Sequence, residues 1–452
     1  MRQGLLAELV PPGVDDYELL GLLQEHYGMP GASGRNESVY PSSRDYVVKI
    51  HWRDGRVTSL ERGPQYSAAH ENSLREAVQT QLVESPGTVV TTWVLFSSPR
   101  IVNGYFRSDQ LQILPPSAVA PRPRETMGEH PFHLEFAVRE SRNGFITNMR
   151  RRRVAWETAL ILNVLLRTQV KAHGVRSKKM WVLCGHADEI PHGRARRKIR
   201  SVFRRLRSYV QKMRGLPQTD WHVHWSQEFY IDPRLPGIAE GLSSPRCSPL
   251  AQVPHEEYYG ADLVPGDDYV VAPDSLNRML QAVAQLEHKE RRAFMRASAW
   301  LAAANELWDD HVSSWYVGLV AAIEALLGGE DAERCPECGQ VRNVGDRFRA
   351  FVERYVPAST DEPTRARLYG LRSALAHGRS LLHIDETPWS GLINPPNALD
   401  QDETYRSLGR LVKRVLVGWL WELTSAACRW VASTNATTSS GPERVTHAPG
   451  ET

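Results

Sequence analysis

Leu368-Tyr369-Gly370-Leu371-Arg372-Ser373-Ala374-Leu375-Ala376-His377-Gly378 closes a helix-forming run in the last third of a 452-residue chain. Ser359 and Glu362 just before it have capping-box spacing, and Pro363 suits a first helical turn, so a helix is expected to begin there. Gly378 suits the left-handed cap that would end it. The flanking segments share a helical rhythm. Leu276, Met279, Leu280, Val283 and Leu286 fall on one side of a helix that Asp274 or Ser275 can cap. Phe294, Ala297, Leu301, Ala304 and Trp308 mark a second helix. Trp315, Leu319, Ile323 and Leu326 mark a third, apolar on most sides and so expected to be central, ending at Gly328-Gly329. Arg347 to Val356 gives a fourth, and Asp402 to Trp430 a long last one. Residues 274–432 therefore read as an all-α bundle, followed by a polar tail, 433–452, expected to be disordered.

Upstream the pattern changes. Asp16 to Glu25 reads as a short helix and Met29 to Arg44 as a Gly/Ser/Pro/Asn-rich connection. Tyr46 to Trp52 is β-rich and is followed by the hairpin signal Asp54-Gly55. Thr88 to Phe96 and Leu111 to Leu114 read as strands. Phe132, Leu134, Phe136 and Val138 alternate as in a half-buried strand. Val154 to Val170 turns helical, Trp181 to Leu183 and Trp221 to Ile231 read as strands, and Arg196 to Met213 as a basic amphipathic helix. The fold class is thus α+β and multidomain: a mixed α/β region over 1–250, a linker over 251–273, then the bundle.

Composition bounds the rest. With 41% hydrophobic and 24% charged residues the chain is of globular type. No apolar run is long enough to cross a bilayer, and the start does not resemble a secretory signal, so no membrane partner is expected. Five scattered cysteines do not form a disulfide framework, which points to a reducing cytoplasm. The net charge of +3 hides an asymmetry: residues 1–250 carry 35 basic and 24 acidic side chains, the remainder 20 and 28. Arg150 to Arg214 holds 19 basic residues against Glu157, Asp188 and Glu189. The helix within 194–214, with Arg196, Arg197, Arg200, Arg204, Arg205 and Arg207, reads as a phosphate-tracking surface for RNA. The same arginines, with Arg150 to Arg153, could instead serve acidic partners inside the protein.

The chemistry sits in Arg372 and His377. A permanent cation that grips phosphate and a side chain that moves a proton near neutral pH suffice for metal-free phosphodiester cleavage, with the 2′-hydroxyl of RNA as nucleophile. Ser373 could add a hydrogen bond. By spacing alone an arginine, four residues and a histidine is a common pattern, and a histidine before a capping glycine is often only a helix end. Taken with Ala322-Ile323-Glu324-Ala325-Leu326-Leu327 and Arg347-Phe348, however, the Tyr369-to-Gly378 string closely resembles the Apea-like branch of the HEPN superfamily over about residues 300–430. That resemblance implies a four- to five-helix bundle that dimerises, and an endoribonuclease of toxin, antiphage-defence or stress systems with Arg372 and His377 as the catalytic pair. Active members most often carry Asn or Asp where this chain has Ser373, and other members only dimerise or bind nucleotides.

Two metal-ligand patterns remain. Cys335-Pro336-Glu337-Cys338-Gly339 is half of a structural zinc site, to be completed by Cys184, Cys247, Cys428, His186 or a dimer mate, or else a knuckle that holds no metal. His222 and His224 lie on one face of a strand between Trp221 and Trp225. The expected cleavage requires no cofactor.

Overall fold

The computed structural model describes residues 3–4, 8–11, 14–34, 36–42, 44–53, 56–84, 86–115, 130–172, 180–184, 222–226, 238–239, 241–260, 268–308, 311–327, 344–356, 362–382, 385 and 408–423. Over these the chain is α+β.

The first sheet runs β1(Gln3–Gly4)-β5(Arg56–Arg62)-β4(Val48–Arg53)-β3(Glu37–Tyr40)-β2(Gly31–Gly34). β4 and β5 pair antiparallel with Arg53 opposite Arg56, the short connection that Asp54-Gly55 signals. Helix α1 (Asp16–Tyr27) starts at Asp15, whose carboxylate accepts from the amides of Tyr17 and Glu18. Its Leu19, Leu22 and Leu23 share a helical face and pack with Ile50, Leu60, Leu74 and Ile146. Each such fully buried side chain contributes about 1.5–3 kcal/mol of transfer free energy. Helix α2 (Ala68–Ala77) continues into a π-helical turn, Val78–Val83.

The second sheet runs β10(Gln169–Lys171)-β6(Thr88–Ser98)-β9(His130–Arg139)-β8(Leu111–Leu114)-β7(Phe106–Arg107). Its central pair is long: β6 and β9 stay in register from Thr88↔Arg139 to Ser97↔His130. A separate hairpin pairs β11 (Met180–Cys184) with β12 (His222–Ser226). β13 (Ile238–Ala239) joins the edge of β6. β14 (Gln252–Val253) pairs parallel with β15 (Ala272–Pro273), around helix α4 (His255–Gly260). Helix α3 (Gly144–Leu165) lies against the second sheet. Then come α5 (Leu276–Gln285), α6 (His288–Leu307), α7 (Val312–Glu324), α8 (Val344–Tyr355), α9 (Glu362–Ala376) and a helix over 408–423, α10. α6 and α7 approach closely, because a Cβ on Gly318 would sit 3.0 Å from the Ala304 methyl.

Several expectations change. The described residues of 251–273 are not a free connection: Val270 and Ala272 belong to a hydrophobic cluster that runs from Trp93 through α3 to Leu420, and Tyr258 is buried as well. The Gly/Ser-rich stretch 29–44 contains β2 and β3. β9 is buried on both faces over its middle, since His133 and Glu135 are as enclosed as Phe132 and Leu134. The helix expected over 154–170 begins ten residues earlier, where the Asn143 side chain accepts from the amides of Phe145 and Ile146, and gives way to β10. The basic helix 194–214 and the tail 433–452 lie outside the described residues.

Candidate functional site

α9 ends as its sequence requires. Gly378 adopts φ 65°, the Gly378 amide donates to the Leu375 carbonyl at 3.0 Å, and the Arg379 amide donates to Ala374 at 2.9 Å. This is the double closure of a Schellman motif, in which only glycine meets the backbone demand cheaply. His377 occupies the turn before it and is exposed.

One turn and a half upstream, Arg372 points its Nη2 at Glu324 of α7, donating to Oε2 at 2.8 Å. The two side chains keep 26% and 22% of their surface. The guanidinium also lies 5.9 Å from the centre of the Tyr369 ring. Its Nε is buried with no hydrogen-bond partner among the described residues. Ser373 is half-buried, and its carbonyl accepts from the His377 amide at 3.1 Å.

The surroundings hold this arrangement in place. The Tyr316 hydroxyl, on α7, donates to the Leu368 carbonyl at 3.0 Å, and Tyr369 packs against Phe348 of α8. Beyond the cap, the Asp385 carboxylate accepts from the amides of Val312 and Ser313 at 3.1 and 2.5 Å, so it caps the start of α7. The Ser313 hydroxyl accepts from the Leu382 amide at 2.8 Å. The segment that follows His377 is thus fastened to the helix that carries Glu324. No local pattern announces Glu324 or Asp385, because their partners are 48 and 73 residues away along the chain.

Of the arginines at 150–153, Arg150 and Arg153 are engaged within the protein. Arg150 donates to the Glu18 carboxylate at 2.6 Å and to the carbonyls of Arg139, Glu140 and Leu82. Arg153 reaches Asp15 at 2.6 Å and Glu157 at 3.1 Å. Their acidic partners are Asp15, which caps α1, Glu18 of α1 and Glu157 of α3, none of them in the bundle. Arg196, Arg197, Arg200, Arg204, Arg205 and Arg207 lie outside the described residues, as do Cys335 and Cys338. His222 stands opposite Cys184 and His224 opposite Val182 in the β11–β12 register. Among the described residues, no three His, Cys, Asp or Glu side chains come together as metal ligands. No described helix is long and apolar enough to cross a membrane.

Compared with protein-family models, curated proteins and solved structures, the chain matches none.

Proposed function

We propose that the helices from α6 to α10 form a HEPN-like module that cleaves RNA without a metal, using Arg372 and His377 in a homodimer of a cytoplasmic defence or stress protein. The carrying observation is the pairing of an exposed histidine at the helix end with an arginine whose guanidinium is held by Glu324 and whose Nε–H is not engaged. In this reading the 2′-oxygen attacks phosphorus, and its proton passes to water or to a neutral imidazole of the second copy. The P–O5′ bond breaks as His377 gives its proton to the departing 5′-oxygen, leaving a 2′,3′-cyclic phosphate and a 5′-hydroxyl. Arg372 stabilises the charge that builds on the phosphoryl oxygens.

A second reading has its own support. The Glu324 carboxylate already neutralises Arg372, which suits a scaffold that dimerises and binds RNA or nucleotide without cutting it. His377→Ala separates the two. The enzyme reading expects labelled RNA to be cut by the parent protein in the presence of chelator, and the rate to fall by about 10²–10⁴ in the variant. Uncut RNA with both proteins, at unchanged binding, leaves the scaffold.

A further inference from the structure

On α6 a line of side chains faces away from the core. Lys289, Arg292, Arg296, Trp300 and Ala303 are spaced three or four apart, and all are exposed. Successive helical residues diverge by about 100°, so these five fall within an arc of about 80° and run about 21 Å along the axis. The opposite face is the one that folding uses: Phe294, Ala297, Ser298, Leu301 and Ala304 are buried. Arg291, one position from Arg292, turns back to the protein and donates to the Glu157 carboxylate at 2.6 Å and to the Val283 carbonyl at 3.1 Å. The arc itself holds no acidic residue. Glu290 is drawn to the start of the helix, accepting from the Glu287 amide at 3.3 Å, and Glu306 stands beyond Ala303, outside the edge of the arc.

Trp300 keeps 49% of its surface, although a large ring gains more than most side chains from leaving water. A face that served only solubility would carry charges of both signs and no such ring. Three cations in line with one exposed indole match a single-stranded nucleic acid, whose phosphates the cations meet and whose unpaired bases stack on the ring. Ala303, the next residue along the line, is too small to cover the indole. Arg296 and Trp300 are about 6 Å apart along the axis, so one strand can lie across both. A membrane surface fits less well, because the apolar side of α6 is spent in the core and one indole is a small anchor.

We propose that Lys289, Arg292, Arg296 and Trp300 form a docking face for single-stranded RNA. The face rests on the ligand of the proposed function and not on its cleavage chemistry. The probe is therefore a fluorescein-labelled 2′-O-methyl oligonucleotide, which lacks the hydroxyl that cleavage needs. Its anisotropy is followed with the full chain over a range of sodium chloride concentrations. The expected result is a Kd weakened about tenfold in Trp300→Ala and largely retained in Trp300→Phe. Arg296→Ala should weaken binding and flatten the slope of log K against log salt by about 0.7. Urea midpoints equal to the parent's confirm that these exposed substitutions leave the fold intact. The proposal is overturned if the parent does not bind the strand, or if Trp300→Ala and Arg296→Ala bind it as the parent does. It is also overturned if Trp300→Ala changes only the oligomeric state, which would make the face a contact between copies, or if the same residues bind phosphatidylserine vesicles and not the strand. Strand binding that depends on Trp300 in a protein that cuts no RNA upholds the face and removes the ribonuclease. Cleavage by a parent whose binding is indifferent to Trp300 does the reverse.

Discussion

Replacing Glu324 with glutamine keeps the shape of the residue that faces Arg372 and removes its charge. At a charge separation of about 4 Å and an effective dielectric near 20, the Coulomb attraction is about 4 kcal/mol before desolvation. Both groups keep roughly a quarter of their surface, so solvent screening and the loss of hydration cancel most of that. What remains is one charge-assisted hydrogen bond, about 1–2 kcal/mol. Glu324→Gln retains an acceptor and should cost about 1 kcal/mol, whereas Glu324→Ala, which strands a half-buried guanidinium, should cost about 2 kcal/mol. Urea midpoints at constant m-value give these numbers, and a double-mutant cycle with Arg372→Ala isolates a coupling of about 1–2 kcal/mol. Strict additivity, with a coupling below about 0.3 kcal/mol, would mean that the pair does not orient Arg372 in solution. The proposed site would then lose its positioning element.

Arg150→Ala removes the partner of a Glu18 carboxylate that is only 13% exposed, along with donors to three carbonyls, and should cost about 3–5 kcal/mol in a denaturant melt. The exposed Arg152→Ala should stay within about 0.5 kcal/mol; equal costs would refute this division of labour. Asp385→Ala should lower stability by about 1–2 kcal/mol, because the carboxylate caps two amides of α7; no change in midpoint would show the cap to be absent. Lys413 gives a pH signature. Its folded value of about 8 lies below the ordinary 10.5, so between those limits the unfolded chain binds more protons and stability must rise with pH. Across about pH 8 to 9.5 the parent should gain about 2 kcal/mol relative to Lys413→Met, and parallel curves would place the ammonium in solvent.

The helical segments were legible because their cores repeat at helical spacing. Leu276, Met279 and Val283, or Trp315, Leu319 and Ile323, are buried as their rhythm requires. The cap at Gly378 was legible for the same reason, being a local demand of the backbone. What sequence missed was set from a distance. β9 reads as half-buried, but its polar face is covered from 108 residues away, where Ser243 donates its amide and hydroxyl to Glu135. Arg150 and Arg153 read as part of a patch for polyanions until Glu18 and Asp15 are brought to them across more than 130 residues. Residues 68–83 did carry a signal: Leu74, Ala77, Val78 and Leu82 are spaced like a buried helical face, within a run otherwise polar enough to pass as loop. At the site, Arg372 and His377 could be named from their types and spacing, whereas the carboxylate that holds the arginine could not.

The most direct measurement sets the parent protein, with chelator present, against two labelled oligonucleotides of one sequence, one of RNA and one of 2′-deoxynucleotides, and reads the ends of the products. A nucleophile supplied by the substrate predicts scission of the ribose strand alone, with a 2′,3′-cyclic phosphate on the upstream fragment. Scission of the deoxy strand, or a 3′-hydroxyl end on the RNA product, would contradict it.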